Sequence, residues 1–352
     1  MKSRCFRFAE YGLPADVLKP VDEELPEPGP GQVLLKLSAV GLNRSEFNYV
    51  QGRYVPAREF PSGIGQEAVG EIVALGPPLE NRIGENQLGE NQAVQVGIEF
   101  ETGARVALLP GRVDICAMGV YRDYGLYDRS ALVSVPESFS AAEGAAYWMG
   151  ILTMGGCYEM AGLTPENATG RKVLVTAATS SMGVIALKLA RAWGAQTIAT
   201  SRSADKAQAL EGIADHVVTC SDSASLAAGV NEVTQDAGVD VAVDPVGADF
   251  YEGLLNATGN GGQIVSYEMI TGTTGPVPIA TMMIKDISIH GFTIFRVYKT
   301  PGLLDTLIGQ GMRYADEVRP LIAKTYPLDA APAALAELGE SRHIGKIILQ
   351  VE

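Results

Sequence analysis

Pairable cysteine is the first thing this 352-residue chain lacks: Cys5, Cys116, Cys157 and Cys220 lie far apart and form no C-x-x-C pair. That spacing argues against a disulfide framework and against a zinc module, and reads as the reduced thiols of a cytoplasmic protein. Histidine is scarce too, and His216, His290 and His343 are so separated that none reads as catalytic. Basic charge is in deficit, 27 Lys and Arg against 41 Asp and Glu, for a net charge of −14. Such a balance disfavours nucleic acid and anionic membrane as partners, while leaving room for a local basic pocket that takes a phosphate. No apolar run approaches the ~20 residues that cross a bilayer. The N-terminal MKSRCFRFAEYG lacks the apolar core of a secretory signal.

What is present is a soluble globular balance, 47% hydrophobic and 19% charged. At this length two domains are expected. The centre of the pattern is KVLVTAATSSMG. Lys172–Thr176 is an apolar run of strand length, small residues form a turn, and Met182-Gly183 open an amphipathic helix that Gly194 stops. A second strand, Gln196–Thr200, follows at once. In place of G-x-G-x-x-G, small residues recur at every third position, Ala177, Ser180 and Gly183. Such a turn lets backbone N–H groups approach a pyrophosphate at a helix N-terminus, which makes Thr179, Ser180, Ser181, Met182 and Gly183 candidate cofactor contacts. An ordinary β-α-β turn without a ligand is the alternative. The order and spacing kept from Val173 to His216 favour the dinucleotide.

Residues 1–135 read as β-rich, with strands at Gln32–Val40, Ala68–Leu75 and Gly103–Leu109. The segment 77–102, with its echo of Gly84-Glu85-Asn86-Gln87 in Gly89-Glu90-Asn91-Gln92, reads as a hairpin or surface loop. From Ser140 the character becomes helical as far as Leu163. Strands expected at His216–Thr219, Val239–Val243, Gly262–Tyr267 and Ile287–Ile294 alternate with helices, the pattern of a parallel doubly wound sheet. The last 55 residues read as loop, a helix at Ala330–Leu338 and a strand at Lys346–Val351.

The second strand also indicates which dinucleotide. NAD-binding chains carry an Asp or Glu just past it for the ribose hydroxyls, and here that place reads Thr200-Ser201-Arg202-Ser203. Ser201, Arg202 and Lys206 therefore suit a 2′-phosphate, and NADPH is expected over NADH. Solvated charges flanking a helix start are the alternative.

Taken together, GPGQVLLKLSAVGLNRSE, QGRY, GQEAVGEIVALG, VLVTAATSSMG, VDVAVDPVG and HIGKIIL resemble the medium-chain dehydrogenase/reductase superfamily, in its zinc-free quinone oxidoreductase and enoyl reductase branches. The likeness covers nearly the whole chain. It implies a GroES-like β-barrel domain at 1–138, completed by 297–352, and a Rossmann domain at 139–296, with the active site in the cleft between them. It further implies reduction of a quinone or enone, a homodimer and no metal: where zinc-dependent relatives carry Cys and His ligands, this chain has Asn43 or its neighbour and Gln66. Tyr54 resembles the proton-donating tyrosine of enoyl-thioester reductases, or else packs the cleft wall. Asn43 resembles an asparagine beside the nicotinamide, or caps the helix that begins there. Thr153, Val246, Ser266, Tyr267, Phe292 and Arg342 match cofactor-side positions. Thr153 has a helix-internal alternative, Phe292 a core one, and Arg342 that of an exposed charge. Cys220 stands where several relatives place a tyrosine beside the adenosine. A 2-enoyl thioester reductase and a non-enzymatic NADPH-binding protein are the rival functions.

Overall fold

The computed structural model describes residues 1–53, 55–79 and 100–352. Tyr54 and the repeat at 84–92 lie outside the described residues. The chain divides into two compact units, 1–149 with 322–352, and 150–321. The first opens with β1 (Lys2–Arg7), β2 (Lys19–Glu24), β3 (Gln32–Gly41), β4 (Ala68–Leu75), β5 (Arg105–Leu108), β6 (Tyr124–Asp128) and β7 (Leu132–Ser134). The second holds β8 (Lys172–Val175), β9 (Gln196–Ser201), β10 (His216–Thr219), β11 (Val239–Asp244), β12 (Thr258–Ser266) and β13 (Ser288–Gly291). The chain then returns to the first with β14 (Ile322–Pro327) and β15 (Lys346–Gln350).

In the first unit β1 pairs with β2, and a seven-stranded sheet runs β14-β15-β3-β4-β5-β7 with β6 also on β3. β3 alternates Val33, Leu35 and Leu37 into a core with Ile64, Val106 and Tyr121. The C-terminal segment completes that core through Ala334, Leu335, Ile347 and Leu349. β15 lies antiparallel to β3, Ile348 opposite Gly41 and Leu349 opposite Val40. This register carries the far end of the chain to the residues that follow β3.

The second unit is one six-stranded parallel sheet, β10-β9-β8-β11-β12-β13. Counted within the unit that is 3-2-1-4-5-6, the dinucleotide-binding order, with its switch point between β8 and β11. Its core joins Leu174, Ile198, Val218, Val230, Ala242, Leu254 and Ile264.

The units meet the sequence at 149/150 and 321/322 rather than at the expected 138/139 and 296/297, and packing supplies the reason. The helical run from Ser140 is two helices, Ala141–Gly144 and Trp148–Met160. A Cβ on Gly144 would lie 2.8 Å from Val69 and Val135, and one on Gly41 would meet the Ala145 carbonyl at 1.9 Å, so this short helix is packed onto the first unit's strands. Toward the other end, Leu303–Arg313 is a helix that buries Leu303, Leu304, Leu307 and Ile308. Leu307 abuts Gly155, and Lys188 Nζ donates to the Arg319 carbonyl at 2.5 Å, which ties this stretch to the second unit. β13 is shorter than the expected Ile287–Ile294, and β14 is a strand without a sequence signal, its side chains half-buried or exposed.

Candidate functional site

In the second unit most of the candidate residues, Thr153 in its helix apart, collect along the carboxyl edge of the sheet, at or just past a strand end. The edge is stitched by single backbone bonds one to three residues beyond the strands. Thr176 N–H donates to Val243 O, Ala178 to Thr200 O, Cys220 to Ser201 O, Tyr267 to Asp244 O and Phe292 to Ser266 O, all at 2.8–3.2 Å. The β8 turn leads into the helix Ser181–Ala192, capped by Ser180 Oγ, which accepts from Gly183 N–H at 3.0 Å. A Cβ at Gly183 would lie 2.6 Å from Ala178 Cα, so only glycine allows the helix start to sit this close to the turn. The N–H groups of Ser181 and Met182 have no acceptor among the described residues. Two free donors and a positive dipole end make such a terminus suited to an anion.

At the end of β9 the Ser201 hydroxyl is engaged with the Ser203 backbone, donating to its carbonyl at 3.0 Å. Arg202 is exposed and Lys206 half-buried. Burial, and then the positive charge of Arg202, hold the Lys206 ammonium below its ordinary value, so two cations converge here. An incoming phosphate would relieve that repulsion. Cys220 is buried, its thiol pushed up by burial.

At the other half of the edge Val246 is half-buried, its carbonyl accepting from Thr271 N–H at 3.0 Å and from its hydroxyl at 2.9 Å. Ser266 Oγ and Tyr251 OH share a hydrogen bond of 2.7 Å. The hydroxyl of Tyr267 is buried and has no hydrogen-bond partner among the described residues, while the residue as a whole is half-buried. An unpaired buried donor at a strand's carboxyl end fits a missing ligand polar group. Thr153 is buried in its helix. Phe292 is buried with its ring against Gly156, a core position.

In the first unit Asn43 precedes the helix Arg44–Val50. Its Nδ2 donates to the Gly41 carbonyl and to Glu46 Oε1, both at 3.2 Å, and its Oδ1 accepts from Lys346 Nζ at 2.7 Å. Both amide hydrogens are therefore used within the protein, and Asn43 can meet a ligand only as an acceptor. Lys346 also donates to Glu67 Oε2 at 2.8 Å, and Glu67 Oε1 accepts from Met149 N–H at 2.8 Å. Glu46 accepts in addition from Asn43 N–H, Gln66 N–H and Tyr121 OH. Burial pushes the Glu46 carboxyl upward, opposed by these hydrogen bonds. Gln66 Nε2 donates to Ser45 Oγ at 3.0 Å. Arg342 is 83% exposed and paired with Glu340 at 3.5 Å.

Sequence reasoning missed Glu46, Glu67, Tyr121, Lys346 and Asp244. A signal existed for two of them, because Lys346 in HIGKIIL and Asp244 in VAVDPVG directly adjoin apolar strand residues. A charge inside a buried strand needs partners.

The alcohol dehydrogenase GroES-like domain family matches residues 29–137, and the zinc-binding dehydrogenase family matches residues 181–308. A quinone oxidoreductase of Pseudomonas aeruginosa is 27% identical over 350 residues, covering 97% of this chain and 98% of that one. The chain belongs to the medium-chain dehydrogenase/reductase superfamily, in its quinone oxidoreductase and enoyl reductase branch. Within that branch, an acryloyl-coenzyme A reductase of Metallosphaera sedula is 26% identical over 329 residues, covering 92% of this chain and 93% of the other. A mycobacterial protein solved complexed with NADPH shares the fold, with a TM-score of 0.80, 24% identity and 99% of both chains covered. The GroES-like and Rossmann-type parts of this medium-chain dehydrogenase/reductase are thus the first and second units. Among the described residues, no group of three or more His, Cys, Asp and Glu is placed to hold a metal ion.

Proposed function

We propose that the protein is an NADPH-dependent reductase of quinones or α,β-unsaturated carbonyl compounds that needs no metal ion. The observation that carries the reading is the carboxyl edge of the second unit: a helix start with free N–H groups beside the switch point, and Arg202 with Lys206 where an NAD-binding chain has a carboxylate. When bound, NADPH supplies a hydride. The Ser181 and Met182 N–H groups hold its pyrophosphate, Arg202 and Lys206 its 2′-phosphate, and Asn43 Oδ1 offers the nicotinamide side one acceptor. Cys220 borders the adenosine, while Val246, Ser266 and Tyr267 border the other half. Tyr54 is the proposed source of the proton, its phenol being the acid in the QGRY string. Asn43 and Gln66 are amides already engaged in hydrogen bonds, which supports a reaction independent of zinc.

A 2-enoyl thioester reductase is the second reading, favoured by the likeness to the Metallosphaera enzyme. A homodimer fits the exposed Ile279, Met283 and Ile284 of the helix preceding the edge strand β13. The test follows NADPH oxidation against quinones, enones and enoyl thioesters, with and without a chelator. Turnover of the first two classes in chelator is expected, and a stable complex without turnover of any class would make the protein a binder only. Arg202→Ala should raise the Michaelis constant for NADPH about 10- to 100-fold, the loss of a charge-assisted contact, and leave NADH nearly unchanged. Equal use of both cofactors by the native chain would refute the assignment.

A further inference from the structure

Asp244 ends β11, fully buried, and among the described residues its carboxylate forms no ion pair. A buried carboxylate without a cation is costly and persists only where hydrogen bonds compensate it. Asp244 has such bonds on both sides. Oδ1 accepts from the Thr176 hydroxyl at the end of β8, and Oδ2 from Gly247 N–H at 2.8 Å. These two strands flank the switch point of the sheet. The backbone beside each contact is strained. Ala177 sits at φ 46°, in the left-handed region that disfavours a side chain, and Gly247 at φ 79°, ψ −152°, a region open essentially to glycine alone. An apolar residue at 244 would fill the space and hold neither turn.

Position along the edge sharpens the point. The Thr176–Ala177 segment runs directly into the capped helix start at Ser180–Gly183, and Gly247 follows Val246. The cations Arg202 and Lys206 lie past β9, on the far side of β8 from Asp244.

We propose that Asp244 is a positioning residue for the pyrophosphate and nicotinamide half of the dinucleotide, acting through the two strained turns it ties together. The inference rests on the NADPH reading above. It excludes the adenosine end, which the carboxylate does not touch.

The experiment measures the dissociation constants of NADPH and of adenosine 2′,5′-bisphosphate for the full chain, for Asp244→Asn and for Thr176→Val. The bisphosphate probes only the Arg202–Lys206 end. In Asp244→Asn the charge is lost: the amide oxygen can stay with Gly247 N–H and the amide nitrogen can donate to the Thr176 hydroxyl, so both contacts become neutral hydrogen bonds, roughly half as strong. NADPH should bind at least about 10-fold more weakly, the scale of a lost charge-assisted hydrogen bond, while the bisphosphate constant stays within about 2-fold. Parallel weakening of both ligands would show a general structural role and overturn the proposal, as would unchanged NADPH affinity. Should Asp244→Asn fail to fold, Thr176→Val, which keeps the charge and deletes one hydroxyl, decides by the same split. A native chain that binds the bisphosphate no better than adenosine, and NADPH not at all, would instead defeat the cofactor reading.

Discussion

Lys346→Met is the most informative single change in the first unit. Lys346 and Glu67 are 2% and 1% exposed and 2.8 Å apart, and Lys346 also holds Asn43 Oδ1 at 2.7 Å. Removing the ammonium leaves Glu46 and Glu67 as buried carboxylates with no cation in the network. Breaking a buried pair from one side costs about 3–5 kcal/mol. Glu67→Gln alone strands the ammonium and should cost a similar amount, although the glutamine oxygen can still accept from Met149 N–H. The double variant carries neither charge, keeps the volume nearly constant and should cost only about 1–2 kcal/mol. The expected coupling is therefore several kcal/mol, far above the few tenths found for independent sites. The assay is urea unfolding read by fluorescence. The chain has two tryptophans, Trp148 at the end of the first unit and Trp193 in the second, so a Trp193→Phe background leaves Trp148, next to the Met149 N–H that Glu67 holds, as the reporter. Lowering the pH should rescue Lys346→Met, because Glu46, whose carboxyl burial already pushes up, loses the opposing attraction of the Lys346 ammonium and takes up a proton in the folded state. Additive single costs, with no pH rescue, would refute the reasoning.

Two further outcomes are expected. Tyr54→Phe should lower turnover by about 10²-fold, the contribution of a positioned acid, while NADPH affinity stays close to native; an unchanged rate on every accepted substrate would assign the proton to water. At Asp215 burial pushes the carboxyl up, but Thr197 N–H and hydroxyl, both at 2.8 Å, with Arg191 beyond them, hold it below the ordinary carboxylate range. Its contribution is thus present above the unfolded value and lost as pH falls through the folded one. Asp215→Asn should cost roughly 1–2 kcal/mol at pH 7, and its denaturation midpoint should converge on the native one as the pH falls below the ordinary carboxylate range; a pH-independent gap would contradict this.

Local structure was legible wherever a short span of chain encodes it. The β8 turn, the Ser180 cap, the helix it starts and the Arg202–Lys206 pair all lie within 35 residues, and strand alternation, small-residue turns and caps are local signals. The alternation of strands and helices likewise implied the parallel sheet. Other features had a visible pattern whose meaning was not local. Leu303, Leu304, Leu307 and Ile308 have helical spacing, yet only tertiary contacts such as that of Leu307 with Gly155 place their helix with the second unit. Tertiary structure alone decided the polar networks. Lys346 reaches Asn43 across 303 residues because β15 pairs with β3, and Thr176 reaches Asp244 across 68 because β8 lies beside β11. Local propensity has no term for which strand becomes a neighbour. That choice follows from burying two apolar faces together, and only afterwards does a charge in a strand acquire the partners that make it tolerable.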